Sequence, residues 1–168
     1  IIIVHRNNVP LLRDCLSSLA SGCGALRWHA FVVDNGSTDG SQEMVREEFP
    51  DNVTLIACGM NLGFTKGNNR GLSVAKKMGK LGRYTILLNN DTQCCDNAIA
   101  DGIAYLDEHE DVGVAGLKLL NKDGSRQLSC RRFPGFRQAF FNRYSLFTKL
   151  FPENKYSVEY LMSDVIDD

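Results

Sequence analysis

The sequence carries no excess of charge of either sign: 19 Lys and Arg stand against 20 Asp and Glu among 168 residues. A nucleic-acid binder shows a basic patch or stripe, and without that footprint no nucleic acid is expected as a partner. No apolar run reaches the ~18 residues of a membrane-spanning helix. The chain opens on Ile1-Ile2-Ile3-Val4 without a Met, which reads as the interior of a longer gene product. Metal-type thiol spacing is missing too. Cys15, Cys23, Cys58, Cys94, Cys95 and Cys130 form no Cys-x-x-Cys, and His5, His29 and His109 sit near no paired thiols. Zinc is therefore not expected, and the thiols read as buried and reduced. Scattered cysteines without a secretory signal point to a cytoplasmic domain. There is no internal repeat and no low-complexity segment.

What is present is an alternation of strand and helix, which argues for an α/β fold with an open, mostly parallel sheet and helices on both faces. Strands are predicted over residues 1–4, 30–33, 53–57 and 84–88. Asn8 can cap a helix with Leu12, Cys15, Leu16 and Leu19 on one face and Pro10 in its first turn. Asp39 with Gln42 reads as a capping-box variant before Met44, Val45 and Phe49. The segment spaced by Gly63, Gly67 and Gly71 is expected to lead into a helix ending near Lys80, and Asp96 to cap another with Ile99, Ile103 and Leu106 inward. Residues 112–120 read as a strand, joined through Asn121-Lys122-Asp123-Gly124 in a hairpin to residues 126–130. Residues 136–151 are aromatic and basic with helical character; 152–168 give no clear pattern.

Two segments concentrate the chemistry: Phe31-Val32-Val33-Asp34-Asn35-Gly36-Ser37-Thr38-Asp39-Gly40-Ser41 and Leu87-Leu88-Asn89-Asn90-Asp91-Thr92. Each is an apolar run that ends abruptly in acidic and amide side chains. In open parallel sheets, strands deliver their last residues to a crevice at their carboxyl ends, where ligands bind. Two such ends carrying Asp suit a ligand that needs one carboxylate for a base and one for a metal, and a nucleotide sugar needs both. With Ile1-Ile2-Ile3-Val4 and Asn61-Leu62-Gly63-Phe64, these segments resemble the family 2 glycosyltransferases, built on the GT-A nucleotide-diphospho-sugar transferase fold. The resemblance runs in order over residues 1–135, which are expected to form a donor-binding core, with 136–168 an incomplete acceptor-side segment.

The resemblance implies roles residue by residue. Asp34 matches the family's carboxylate that accepts from the ring imide of uracil or thymine, a pairing that suits an acceptor-only group. Asn89-Asn90-Asp91 corresponds to the Asp-x-Asp metal motif in Asn-x-Asp form. Asp91 would hold Mg²⁺ or Mn²⁺ with the diphosphate, while Asn89 would contact the ribose. Val4, His5, Asn7, Asn35, Asn61, Gly63, Asn68 and Asn90 would complete the nucleotide pocket. Ordinary structural roles stand beside these. Asp39 reads as a helix cap, Gly71 equally as helix–sheet packing, Lys66 and Arg70 as solvated charges, and a single histidine is more often core or surface than ligand. Ser129-Cys130-Arg131-Arg132-Phe133-Pro134 is similar to rhamnosyltransferase-type members, where an Arg could meet the diphosphate or an anionic acceptor.

The expected activity is metal-dependent, inverting transfer of a sugar from a UDP- or dTDP-sugar to a glycan or lipid-linked acceptor, in surface polysaccharide biosynthesis. Rhamnose on thymidine diphosphate is the leading donor. The longer protein is expected in the cytoplasm, peripherally at the inner face of the membrane. Such a transfer needs a base to deprotonate the acceptor hydroxyl. Asp164, Asp167 and Asp168 lack the surroundings of that base, which is expected beyond Asp168. Two other readings remain. A catalytically incomplete nucleotide-sugar-binding module would keep the same site. A sugar nucleotidyltransferase would need a Gly-rich, Arg-containing loop after the first strand, and His5-Arg6-Asn7-Asn8 is not one.

Overall fold

The computed structural model describes residues 1–127, 129 and 149–150. The expectations for Cys130 to Pro134, for a helix over 136–151 apart from its residues 149 and 150, and for the acidic chain end lie outside the described residues. The chain divides into two compact units, Ile1–Ala115 and Gly116–Asp168.

Unit 1 holds four parallel strands, β1 (Ile2–His5), β2 (Ala30–Asp34), β3 (Val53–Ala57) and β4 (Leu87–Asn89), in the order β3-β2-β1-β4. Parallel neighbours need crossovers, and helices supply them: α1 (Val9–Cys23), α2 (Ser41–Glu48), α3 (Gly63–Lys77) and α4 (Ala98–Glu108). The predicted open parallel sheet is observed. Alternate side chains of β1 and β2 build two cores. Ile3, Val32 and Ala30 join Leu12, Cys15, Leu16 and Leu19 of α1, Met44 and Val45 of α2, and Ile99 of α4. Ile2, Phe31 and Val33 face the other way, with Ile56 and Ala75 of α3. Helices therefore cover both faces. Each fully buried Leu of α1 contributes ~1.5–3 kcal/mol by leaving water.

Helix α1 starts as the sequence predicts. Asn8 caps it by accepting from Leu11 N at 3.3 Å, with Pro10 in the first turn. Helix α2 does not use the predicted capping box. Its N-cap is Gly40 without a side-chain bond, and Gln42 reaches back to Asp34 instead. Helix α3 begins at Gly63 itself, so the spaced glycines lie inside the helix. The reason is close packing. A Cβ on Gly71 would stand 2.6 Å from Ile2 Cγ2 and 3.0 Å from Val33 Cγ2, and one on Gly67 would stand 2.9 Å from Val4 Cγ1.

Three further boundaries differ. Strand β4 is only three residues long and starts at Leu87, later than expected; the Ile86 carbonyl still accepts from Ile2 N at 2.8 Å. Asn97, not Asp96, is the N-cap of α4, because Asp96 accepts from the Ser21 hydroxyl across to α1. In unit 2, the predicted hairpin forms only as β5 (Leu119–Leu120) and β6 (Arg126–Gln127), antiparallel. Its turn is the expected one, with Gly124 N donating to Asn121 O at 2.9 Å. Residues 112–118 are not strand. Of the five described thiols, Cys15 and Cys23 are buried, Cys58 and Cys94 half-buried and Cys95 exposed, so among these the all-buried expectation holds for the first two.

Candidate functional site

The strand register brings the singled-out residues to one edge. His5 lies opposite Asp34, and Val4 opposite Asn89. The carboxyl ends of β1, β2 and β4 are therefore side by side. Asp91 follows in the turn after β4, which Thr92 N closes on Asn89 O at 3.2 Å. Asp34 and Asp91 share this edge of the sheet.

Asp34 is fully buried. Its Oδ1 accepts from Gly36 N at 3.1 Å, Ser37 N at 3.0 Å and Gln42 Nε2 at 2.9 Å. Its Oδ2 has no hydrogen-bond partner among the described residues. Asn35 donates through Nδ2 to Gly63 O at 3.3 Å, and its buried Oδ1 is likewise unpartnered. A buried acceptor left unpaired costs ~1–3 kcal/mol. Two in succession at a strand end are a place where a ligand donor gains what the fold has left unmade. Gln42 escaped the sequence reading because its spacing from Asp39 assigned it to the cap. The signal lay in its position in the first turn of the helix after Asp34, facing the strand end.

The loops after β1 and β2 are tied together. Asn7 N donates to Ser37 Oγ at 2.8 Å, Thr38 N to Asn7 Oδ1 at 3.0 Å, and Val9 N to Asp39 Oδ2 at 3.1 Å. Asn7 and Asn8 take φ of 57° and 75°, the left-handed region that Asn tolerates better than most residues. The Asn7 side chain is thus committed to the neighbouring loop. Burial opposes ionisation of Asp39, but bonds from the Ser41 hydroxyl and from the Ser41, Val9 and Asn8 amides hold its carboxyl below the usual value. The His5 ring is buried between Ser41 Oγ, 2.8 Å from Nε2, and Asn90 Nδ2, 2.9 Å from Nδ1. Burial lowers its pKa, against the pull of Asp34 and Asp39.

The remaining residues divide between edge and interior. Val4 is half-buried beneath Gly67. Asn61 accepts from Gly63 N at 2.9 Å at the exposed start of α3, beside Asn35. Asn68 is 5% exposed and donates to Phe64 O at 3.0 Å, one turn back in its own helix. Asn89 and Asp91 are exposed, Asn90 half-buried. Among the described residues no three His, Cys, Asp or Glu side chains converge into a metal cage. A single exposed carboxylate at Asp91 suits a hard cation that takes its other ligands from phosphate and water. The donor set therefore fits a metal shared with the diphosphate rather than one held by protein alone.

The sheet gathers acidic and amide residues at the carboxyl ends of its parallel strands, the place where open α/β sheets bind ligands. The sequence model for glycosyl transferase family 2 matches residues 1–159, and the chain belongs to that family. Among curated proteins it is similar to N-acetylglucosaminyl-diphospho-decaprenol L-rhamnosyltransferase of Mycobacterium tuberculosis, in strains CDC 1551 / Oshkosh and ATCC 25618 / H37Rv. Each is 27% identical over 135 residues, covering 77% of this chain and 43% of the relative. The chain thus spans less than half the length of these relatives. Among solved structures, S. aureus TarS residues 1–349 superpose with a TM-score of 0.55 at 24% identity, over 65% of this chain and 32% of that one. A second TarS structure gives 0.54 at 24% identity, over 65% of this chain and 19% of that one. The fold is of the GT-A α/β type. No helix among the described residues is long and apolar enough to cross a membrane.

Proposed function

We propose that the chain is the donor-binding part of a metal-dependent, inverting glycosyltransferase that takes a UDP- or dTDP-sugar and serves a glycan or lipid-linked acceptor in surface polysaccharide synthesis. One observation carries this reading: the unpartnered Oδ2 of Asp34 and the exposed carboxylate of Asp91 lie on the same sheet edge, flanking the end of β1. The first can accept from a pyrimidine imide, with Asn35, Asn61 and Gly63 beside it. The second, with Asn89 and Asn90, would meet the ribose and diphosphate. Mg²⁺ or Mn²⁺ held by Asp91 and the phosphate oxygens would neutralise charge on the leaving diphosphate. The acceptor hydroxyl would attack the anomeric carbon from the opposite side and lose its proton to a base carried beyond Asp168.

Residues 1–135 are the proposed donor core. Rhamnose from thymidine diphosphate is the proposed donor, supported by the Asn-x-Asp form at Asn89–Asp91 and by likeness to the mycobacterial rhamnosyltransferase. The name of that relative includes a diphospho-decaprenol substrate, which supports a lipid-linked acceptor; work at the cytoplasmic face of a membrane is proposed with it. Titration calorimetry of UDP, dTDP, ADP and GDP, with and without Mn²⁺, tests the nucleotide reading. Tighter binding of the two pyrimidine diphosphates, strengthened by metal, is expected; equal affinity for all four removes the role of Asp34. A donor-hydrolysis screen on the full-length enzyme tests rhamnose separately, and preference for a glucose or N-acetylglucosamine donor would replace it.

A further inference from the structure

His5 is 1% exposed at the end of β1, and both ring nitrogens are engaged. Its Nε2 lies 2.8 Å from Ser41 Oγ, and Ser41 Oγ donates to Asp39 Oδ1 at 2.5 Å. Because the serine proton goes to Asp39, its oxygen must accept from the ring, which puts the imidazole hydrogen on Nε2. Nδ1 is then an acceptor, and the amide nitrogen of Asn90 stands 2.9 Å away to donate to it. One arrangement of protons satisfies the whole series from Asn90 through His5 and Ser41 to Asp39. The His5 carbonyl also accepts from Asn35 N at 2.8 Å. Through one residue, the turn after β4 is tied to the start of α2 and to the end of β2.

We infer that His5 is a positioning residue: its Nδ1 holds the Asn90 amide and so fixes where the Asn89-Asn90-Asp91 turn carries the Asp91 carboxylate relative to Asp34. The inference rests on the donor-site reading of Asp91. It assigns His5 no contact with the nucleotide, since neither ring nitrogen has a free direction. A histidine here is otherwise unexpected, because a buried imidazole fills space that an apolar side chain would fill without needing two partners.

Two substitutions separate the ring's two bonds in the full chain. In His5→Asn the side-chain oxygen stands where Nδ1 was and can still accept from Asn90, while the Ser41 bond is lost. In His5→Gln the amide nitrogen stands where Nε2 was and can still donate to Ser41, while Asn90 loses its acceptor. Calorimetry with dTDP and Mn²⁺ should show His5→Gln weakened about tenfold and His5→Asn within about threefold of wild type, with melting temperatures lowered alike. Amide hydrogen exchange at Thr92, whose N–H closes the turn on Asn89 O at 3.2 Å, should speed up in His5→Gln and not in His5→Asn. Equal weakening of both variants, or a His5→Gln protein with wild-type affinity and wild-type exchange at Thr92, overturns the assignment. Failure of the wild type to bind dTDP or UDP with Mn²⁺ would defeat the donor-site reading instead, and exchange at Thr92 would then decide the clamp alone. If His5→Gln does not fold, Asn90→Ala removes the same bond from the other side and is read by amide exchange at Thr92 alone, faster than in His5→Asn if the clamp holds and equal to wild type if it does not.

Discussion

Asp34 and Asn35 are neighbours in sequence that reach for helices on opposite faces of the sheet, Asp34 for Gln42 of α2 and Asn35 for the Gly63 carbonyl at the start of α3. Each residue is left with one buried side-chain oxygen, Asp34 Oδ2 and Asn35 Oδ1, that has no hydrogen-bond partner among the described residues. The last peptide of β2 thus presents two pre-oriented acceptors, held by elements that the rest of the core fixes.

Under the proposed donor reading, nucleobase choice should be sensitive to a single atom. Asp34→Asn can keep an oxygen on Gly36 N, Ser37 N and Gln42 while the free position becomes an NH₂ donor. Uracil offers a ring N–H there and cytosine a bare ring nitrogen, so the preference of UDP over CDP should invert. Asp34→Ala should simply lose ~1.5–3 kcal/mol of UDP binding. Competition binding of the two diphosphates reads both variants, and an unchanged UDP:CDP ratio in Asp34→Asn would place the base elsewhere.

Asp91 should govern the coupling between metal and nucleotide. With one carboxylate, Mn²⁺ alone should bind weakly, and dTDP should raise its affinity at least tenfold because phosphate supplies the other ligands. Asp91→Asn should abolish that enhancement. A variant that still binds the diphosphate tightly and still responds to EDTA would locate the metal at a different residue.

Gly71→Ala should destabilise the fold by ~1–3 kcal/mol, the usual cost of overpacking, because its Cβ meets two buried β-branched side chains. Gly67→Ala presses only on half-buried Val4 and should cost less. Urea midpoints measured at constant m-value rank the two; a neutral Gly71→Ala would mean that α3 can lift off β1 without loss.

Stability should fall as the solution is acidified below ~6.5, the ordinary histidine value. Burial lowers the pKa of His5, and burial with the nearby Lys80 lowers that of His29. The unfolded chain therefore takes up protons that the folded one refuses, and this favours unfolding between the ordinary value and the lowered ones. Melting temperature against pH should lose part of its slope in this window in His5→Gln. An identical slope would assign the effect to other groups.

Thiol reactivity should follow burial. Desolvation, with the neighbouring Cys94, pushes Cys15 up to about 12 and Cys23 up to about 11. Exposed Cys95 should react with iodoacetamide in the native protein, whereas Cys15 and Cys23 should react only after unfolding. Peptide mapping after brief labelling resolves the three.

The sheet was legible because parallel strands covered on both faces leave uninterrupted apolar runs, as in Phe31-Val32-Val33, and because Asn8 and Pro10 mark the start of α1 unambiguously. What escaped depends on tertiary distance. Gln42 has the same spacing from Asp39 whether it caps its own helix or crosses to Asp34, and only the folded strand end decides. Gly67 looks like a loop residue until a helix is found lying on Val4, whereas for Gly71 the packing alternative could be read in advance and is the one observed against Ile2. Residues 112–118 are apolar enough for a strand, but an apolar run does not create the partner edge that a strand requires. At the site, Asp34 and Asp91 were legible as sharing one edge, whereas the bonds of the buried His5 ring to Asn90 and Ser41 depend on tertiary distance alone.

The order of the strands has a consequence for the time course of synthesis. His5 leaves the ribosome 85 positions ahead of its partner Asn90. At ordinary translation speeds that interval is roughly 4–17 s. Throughout it β1 has only β2 beside it, and the edge destined for β4 stands open. The proposed donor edge therefore cannot exist on a shorter nascent chain: it closes when the turn bearing Asp91 emerges and β4, the last of the four described parallel strands, docks on β1.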